Sequence, residues 1–333
     1  MSKDPIYVDF SLPLSELLHK GTAIAHEEVE KSQGAAWLVR GELDREEYVR
    51  FLMMLYHVYD TLERGLEQHS SHPVLSFTYN PALLSRAPAL SADIAHFLQT
   101  SEAEWQRHPL HVELIADPPP ALSRYSGRLK EIVSSEDPST LLSHAYVRYL
   151  GDLSGGQIIR SRVSKAYGLE DGAGVSFFDF KTLGGTGTAT IGDMKKIKEW
   201  YRNNMNTVVG DNQELKADIV EEAITAFELN SGLFAALRAP SSLSLGKSTP
   251  ALPPLGEPGT PVNGSFDKLS RGGESTVLYE EKKRAEQKTY SVSAVVAVIA
   301  AMSLAHFALV VGGFTGERGI AKLQMLRDWL FSH

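Results

Sequence analysis

Three glycines lie beside a carboxylate near the middle of the chain. Gly151, Gly155 and Gly156 surround Asp152, within a segment from about residue 144 to residue 167 whose apolar spacing predicts one helix. Glycine inside a helix costs roughly 1 kcal/mol relative to alanine, so three of them require a compensating gain. Glycines at i, i+4 and i+5 remove the side chains from one helix face, which would let a flat ligand lie against the backbone beside Asp152.

The same glycine pattern is also compatible with two quite different arrangements. Close packing of another helix across the glycines accounts for the motif at least as well as a ligand does. A nucleotide-binding turn is the second alternative, but the spacing matches neither of the usual phosphate-binding glycine patterns.

A histidine on the first predicted helix has the chemistry of a metal ligand. His26 lies at one edge of the apolar stripe that begins at Leu14, and Glu30 follows one turn later. A neutral imidazole is the commonest protein ligand of heme (haem) iron, and a carboxylate one turn away can orient its second ring nitrogen. Such a histidine is more often an ordinary packed residue, so the pattern alone does not decide between the two.

Two cations lie one turn apart on a later predicted helix. Lys198 and Arg202 are spaced i, i+4, beside apolar residues. In isolation such a pair indicates an ordinary solvated face. As a binding element, the two cations suit a ligand with two carboxylates, and the hydroxyl of Tyr146 could add a hydrogen bond.

The segments that carry these residues are predicted to be helices, because their apolar residues recur every three or four positions. No convincing strand pattern is present, so an all-α domain is expected over residues 1–238. The tripeptide 118–120 is all proline and breaks the middle of this domain, and residues 184–192 form a loop rich in Gly and Thr. The clearest predicted helices are Leu14 to Val29, one after a capping box of Asp44 and Glu47, Met194 to Val208, and one after a capping box of Asp211 and Glu214.

The composition narrows the chemistry further. The chain contains no cysteine, which excludes disulfides, thiolate metal ligands and a cysteine nucleophile. A formal charge of −8 and a pI near 5.8 argue against nucleic acid as a partner. The N-terminal residues resemble neither a secretory signal nor a transit peptide.

The C-terminal part of the chain predicts a membrane anchor. Residues 239–290 are rich in Pro, Ser and Gly, which indicates a disordered linker. Residues 291–314 are almost wholly apolar, and at a rise of ~1.5 Å per residue they are long enough for a transmembrane helix. A short tail, 315–333, has the spacing of an amphipathic helix. The flanking cations favour an N-terminal domain on the cytosolic side.

Residues 144–156 resemble, almost letter for letter, the distal-helix signature of the heme oxygenases. Supporting similarity runs from about Leu14 to Leu237, in the order that this family shows. The resemblance implies a single multi-helix heme oxygenase domain. The membrane-bound eukaryotic members also end in an anchor, so a tail-anchored protein of the endoplasmic reticulum membrane is expected, with its catalytic domain in the cytosol. The further matching pieces are residues 25–26, 55–59, 177–178, 201–202 and 227–230.

The same resemblance assigns roles to individual residues. His26 matches the axial iron ligand, and Asp152 matches the distal aspartate that supplies protons through a hydrogen-bonded network. Gly151, Gly155 and Gly156 match the glycines that touch the heme. The remaining matches are Tyr59, Arg148 and Asn230 for the polar network, and Lys198, Arg202 and Tyr146 for the propionates. Phe227 is a further candidate heme contact, and Glu30 is expected near the axial histidine from its spacing. His19 stands where the family often has a propionate-binding lysine.

The implied reaction consumes heme b, which is both cofactor and substrate. Dioxygen is the co-substrate, and the products are biliverdin, ferrous iron and carbon monoxide. Electrons would come from NADPH through a diflavin reductase, since the chain shows no flavin or nicotinamide motif, and biliverdin reductase is a second expected partner. The competing hypotheses are a heme-storage protein that uses the same pocket and a tail-anchored helical adaptor without a ligand.

Overall fold

The predicted helical spacing yields twelve α-helices in the part of the chain that the computed structural model describes, residues 9–169, 172–185 and 187–241. The all-α fold class is thereby confirmed, and the only β-type pairing within those ranges is an isolated bridge between Lys181 and Thr188. In chain order the helices are α1 (Leu14–Gly21), α2 (Ala23–Glu30), α3 (Gln33–Arg40), α4 (Arg45–Gln68), α5 (Pro81–Leu84), α6 (Ala87–Leu98), α7 (Pro109–Ala116), α8 (Pro120–Val133), α9 (Leu141–Asp152), α10 (Gly156–Tyr167), α11 (Ile191–Val209) and α12 (Gln213–Ala235).

Helix α4 forms the centre of the core. Four consecutive residues, Leu52, Met53, Met54 and Leu55, are all buried, so α4 is covered on more than one side. Helices α6, α7, α8 and α9 pack around it. Tyr59, one turn further along, is completely buried where α4 meets α9.

Helix α12 connects the N-terminal helices to α9. It packs against α1, α2 and α3 as well as α8 and α9. At Gly34 of α3 the two backbones approach so closely that an added Cβ would lie 2.1 Å from the carbonyl oxygen of Phe234, so only glycine fits there. On the α9 side, the Ser143 hydroxyl donates to the Ile219 carbonyl at 2.7 Å. The elements that carry His26 and Asp152 are thus held by one common helix.

Two predicted helices are each broken into two. The segment from Leu14 to Val29 bends at Thr22, whose hydroxyl donates to the Leu18 carbonyl, so α1 and α2 are separate helices. The segment 144–167 is interrupted after Asp152 by the turn Leu153 to Gly155. The glycines that looked like interior residues therefore lie at a helix end, where their low helix propensity costs less.

The two predicted capping boxes are wrong in detail, although α4 begins directly after Asp44 as expected and α12 begins one residue later than expected. Asp44 occupies the N-cap position of α4, but its carboxylate accepts hydrogen bonds from Ser241. Glu47 pairs with Arg50 and accepts from the backbone N–H of Arg238. Residues near the C-terminal end of the domain therefore donate hydrogen bonds to both carboxylates, in place of the expected capping bonds.

The cap of α12 lies one residue later than predicted, since Asn212 and not Asp211 accepts from the backbone N–H of Leu215 at 3.1 Å. A complete capping box is present at α11 instead, between Thr190 and Asp193, and it ends the Gly/Thr loop. Within the described residues no helix is long and apolar enough to cross a bilayer. The predicted linker from residue 242, the 291–314 span and the 315–333 tail lie outside the described residues.

Candidate active site

The candidate iron ligand His26 projects from α2 with most of its ring accessible. Its side chain is 57% exposed, and Nδ1 lies 3.7 Å from Oε2 of Glu30, too far for a direct hydrogen bond but close enough to favour a proton on Nδ1. The ring also makes an edge contact with Phe227 of α12, at 5.7 Å between centroids. With Nδ1 directed toward a carboxylate, Nε2 is the nitrogen left to bind a metal.

The three glycines of the sequence motif separate into two environments. A Cβ added to Gly151 would meet no atom within 4 Å, and one added to Gly155 would meet only the carbonyl oxygen of Gly151 at 3.9 Å. Both glycines are exposed. At Gly156, in contrast, an added Cβ would lie 3.2 Å from the Phe178 ring. Gly156 therefore serves close packing, whereas Gly151 and Gly155 leave a strip of bare backbone. Because this segment forms helix α9, a turn and helix α10, it does not contain the strand and loop of a nucleotide-binding turn.

Asp152 lies at the start of a chain of buried polar groups. Its carboxylate accepts a hydrogen bond from the Tyr59 hydroxyl, which in turn accepts from Nε of Arg148 at 3.0 Å. Arg148 also donates to the side-chain oxygen of Asn230, whose amide nitrogen lies 3.3 Å from the Tyr125 hydroxyl. Three of the four helices involved, α4, α9 and α12, are those that organise the core.

The burial of this network controls its protonation. Desolvation raises the pKa of Asp152 above its ordinary value, while Arg148 and the Tyr59 hydrogen bond partly oppose that shift. Burial likewise raises the pKa of Tyr59 well above its ordinary value. Burial alone would lower the pKa of Arg148, but Tyr59 and Asp152 reverse this, so the guanidinium stays charged. The network thus combines a permanent cation with a carboxyl group that releases its proton less readily than usual.

The predicted carboxylate-binding residues lie together on α11 and α9. Lys198 Nζ donates to the hydroxyl of Ser154 at 3.1 Å, so α11 reaches the turn that carries the glycines. Burial and the nearby Arg202 both lower the pKa of Lys198. Tyr146 is buried, which raises the pKa of its hydroxyl, and Arg202 is close enough to oppose that shift. His19 is exposed on α1, one helix before His26.

These residues fit a heme by their donor chemistry. The bare strip at Gly151 and Gly155 offers a surface for a flat macrocycle, His26 offers a free imidazole nitrogen, and Lys198 with Arg202 offers positive charge for two propionates. No group of three or more His, Asp or Glu side chains is arranged to hold a metal ion within the described ranges.

The structure also reveals residues that the motifs did not indicate. Arg86 is buried and donates to the carbonyl oxygens of Phe177 and Asp179 at 3.1 and 2.6 Å, and its guanidinium lies 4.1 Å from the centre of the Phe180 ring. Tyr125 completes the network through Asn230. These partners lie about ninety to one hundred residues apart in the chain, so no local spacing could have identified them.

Comparison with known proteins gives a consistent result. Residues 12–236 match the family model described as Heme oxygenase. The chain is 35% identical over 226 residues to heme oxygenase 1 of Pongo abelii, covering 68% of this chain and 72% of the relative. It is also 35% identical over 217 residues to heme oxygenase 2 of Synechocystis sp., covering 65% and 80%.

Solved structures show the same similarity. The crystal structure of heme oxygenase-2 from Synechocystis sp. PCC 6803, in complex with heme and NO, matches with a TM-score of 0.59 and 33% identity over 67% of this chain and 84% of that chain. The heme oxygenase of Leptospira interrogans matches with a TM-score of 0.58 and 32% identity, over 68% and 100%. With its helical fold, its glycine turn beside Asp152 and a family match that covers most of the chain, this protein belongs to the heme oxygenase family.

Proposed function

We propose that this chain is an enzyme that cleaves heme b at a meso carbon with dioxygen and external electrons, to give biliverdin, ferrous iron and carbon monoxide. The observation that carries the proposal is the buried Asp152 network at the turn where Gly151 and Gly155 leave the backbone bare. A site that only stored heme would have no need of a carboxyl group that belongs to a hydrogen-bonded network suited to proton transfer. Family membership supports the same reaction.

His26 is assigned as the axial ligand, with Glu30 orienting it. A carboxylate 3.7 Å from Nδ1 favours the tautomer that presents Nε2 to the iron. The heme supplies the iron that binds and activates dioxygen. Phe227 holds one edge of the imidazole ring and limits its rotation.

Asp152 is assigned as the proton-delivering group. Its raised pKa keeps a proton available at higher pH than for an ordinary aspartate, and Tyr59 fixes the carboxyl orientation. Arg148 holds Tyr59 and Asn230 in place without accepting a proton itself. The bare backbone at Gly151 lets the substrate lie close to this carboxyl group.

The cations of α11 are assigned to the two propionates of the substrate. Lys198 and Arg202 lie on one face of α11 near the glycine turn, and Tyr146 lies close to Arg202. Charge-assisted hydrogen bonds from these groups would fix how the macrocycle is rotated in its plane, and hence which meso carbon faces Asp152. His19 on α1 stands where the family often has a propionate-binding lysine, and it is assigned as a further propionate contact.

The domain organisation and location are part of the proposal. The catalytic domain comprises residues 1–238, followed by a linker over 239–290, a transmembrane helix over 291–314 and a tail over 315–333. The protein is tail-anchored in the endoplasmic reticulum membrane and faces the cytosol, where an NADPH-dependent diflavin reductase supplies electrons and biliverdin reductase takes up the product. The apolar run and the flanking cations support this arrangement. Truncation before Ser291 should move the active domain from the membrane pellet to the supernatant, and a truncated protein that stayed in the pellet would refute the anchor.

A single optical experiment tests the function. The full chain is mixed with one equivalent of heme, and its spectrum is followed in air before and after a chemical reductant is added. The expected result is loss of the Soret band together with the appearance of biliverdin absorption and release of chelatable ferrous iron. A Soret band that persists without biliverdin would assign the chain to heme storage. A chain that takes up no heme would favour the adaptor hypothesis.

A further inference from the structure

A cavity of about 470 Å³ lies next to the Asp152 network but does not include Asp152 itself. It is lined by residues of α4, by the segment between Thr78 and Ser91, by Glu102, and by Tyr149 of α9. Two of its lining groups, Glu63 and Tyr149, are oriented by the same pair of helices that joins Tyr59 to Asp152.

The geometry of α4 and α9 places these four side chains in two neighbouring pairs. Glu63 is one turn beyond Tyr59 on α4, and Tyr149 is one turn before Asp152 on α9, so both lie on the side of the helix that faces the partner. The inner pair, Tyr59 with Asp152, is hydrogen bonded and buried. The rings of Tyr59 and Tyr149 are 6.2 Å apart. The outer pair, Glu63 with Tyr149, lines the cavity.

Glu63 is held in a position suited to proton exchange. It accepts hydrogen bonds from the backbone N–H groups of Arg86 and Ala87, the latter at 3.2 Å, at the beginning of α6. Burial raises the pKa of Glu63 to about 7, the two backbone N–H groups and the Arg86 charge oppose the rise, and Asp60 on the same helix adds to it. A carboxyl group with such a pKa takes up and releases a proton at neutral pH.

Arg86 connects the two pairs electrostatically. Although burial lowers the pKa of this buried guanidinium, the same cation interacts favourably with Asp152, Tyr59, Glu63 and Tyr149. Its own hydrogen bonds go to main-chain carbonyls and not to a carboxylate. Because the Arg86 guanidinium is not hydrogen bonded to Glu63 or to Asp152, it can stabilise a negative charge first on one carboxylate and then on the other as a proton moves between them.

We propose that Glu63 and Tyr149 form the entry through which protons pass from solvent in the cavity to Asp152. This inference rests on the proposed function. In the step, the Glu63 carboxyl O–H gives its proton to the Tyr149 oxygen while the Tyr149 hydroxyl proton moves through solvent to the Tyr59 oxygen. The Tyr59 hydroxyl proton moves at the same time to the Asp152 carboxylate, which it already contacts. Solvent in the cavity then reprotonates the Glu63 carboxylate, so one proton enters and no electron is transferred. Glu63 is therefore a positioning residue that acts through others.

The first test compares two matched glutamine variants of the full chain. Glu63→Gln keeps a side-chain oxygen that can accept the hydrogen bond from Ala87, but the amide cannot exchange a proton as a carboxyl group does. The control, Glu67→Gln, removes a carboxylate that lines the same cavity, is exposed and lies one turn after Glu63 on α4. We expect Glu63→Gln to bind heme normally, to form biliverdin about tenfold more slowly or worse, and to show a larger solvent isotope effect. We expect the wild-type rate to decrease as the pH rises through about 7 and Glu63 loses its proton, and we expect this decrease to be absent in Glu63→Gln. Glu67→Gln should behave as the wild type.

A second variant and a readout on the protein alone complete the test. Tyr149→Phe should reproduce the slow turnover, and combining it with Glu63→Gln should add no further loss, since both lie on one route. In the heme-free full chain, the infrared band of a protonated carboxyl group should disappear near pH 7 and be missing in Glu63→Gln. Wild-type rate, pH profile and isotope effect in Glu63→Gln, or no such infrared titration, would overturn the proposal. Absence of biliverdin from the wild type would instead overturn the proposed function.

Discussion

Replacing Gly151 by alanine separates the role of the bare backbone strip from the stability of the fold. The added methyl group would meet no protein atom within 4 Å, so it should cause no clash in the protein alone. Alanine is favoured over glycine inside a helix by about 0.5–1 kcal/mol, and the difference is smaller at Gly151 because it is the last residue but one of α9. The free energy of unfolding should therefore rise by no more than about 0.5 kcal/mol, which corresponds to a rise in Tm of at most roughly 2 °C.

Heme binding should change in the opposite direction. A methyl group inserted into a tight contact costs about 1–3 kcal/mol, which corresponds to roughly 5- to 150-fold weaker binding. The control is Gly127→Ala in α8, where an added Cβ also meets nothing within 4 Å but lies far from the glycine turn in the sequence. Thermal unfolding followed by circular dichroism gives the stability, and a Soret titration gives the affinity. If Gly151→Ala bound heme as tightly as Gly127→Ala does, the substrate would not lie on this strip and the assignment would fail.

Three further predictions concern single side chains. His26→Ala should lose the axial-ligand spectrum and most turnover, with partial recovery on addition of imidazole, whereas His19→Ala should keep the ligand spectrum; an unchanged spectrum in His26→Ala would refute the ligand. Asp152→Asn should bind heme but form biliverdin at least 100-fold more slowly, as measured by absorbance in a single turnover; a wild-type rate would contradict the role of Asp152. His57 has a pKa lowered to about 4 by burial and by the nearby His111, so the unfolded chain binds more protons than the folded one as pH falls below about 6.5. Stability should then decrease between pH 7 and pH 5 by on the order of 1 kcal/mol through this group, less in His57→Gln, as urea unfolding at the two pH values would show.

Much of the fold follows from local patterns. The apolar spacing correctly indicated the long helices α4, α11 and α12, because a helix buries residues three and four positions apart whatever its partners are. The capping boxes were less predictable. Asp44 and Glu47 had the right spacing, yet both bind residues near the end of the domain, which a local rule cannot include.

The candidate site divides in the same way. The amino-acid types and their spacing were enough to single out His26, Asp152 and the glycines, since those features are written in consecutive turns of the chain. The three-dimensional contacts alone established that Gly156 packs against Phe178 while Gly151 faces open space. Two glycines five residues apart are chemically identical in sequence, and only their neighbours make them different.

The same reason accounts for the electrostatics of the site. Asp152 is an ordinary aspartate until the packed helices bury it and α4 brings Tyr59 against it, and the hydrogen bond from Tyr59 spans 93 residues of chain. The sequence shows that the chain contains a carboxylate, a tyrosine and an arginine, but not that they are in contact. Their pKa values depend on desolvation and on separations of a few ångströms between residues that are far apart in the sequence. Both are determined only when the helices pack.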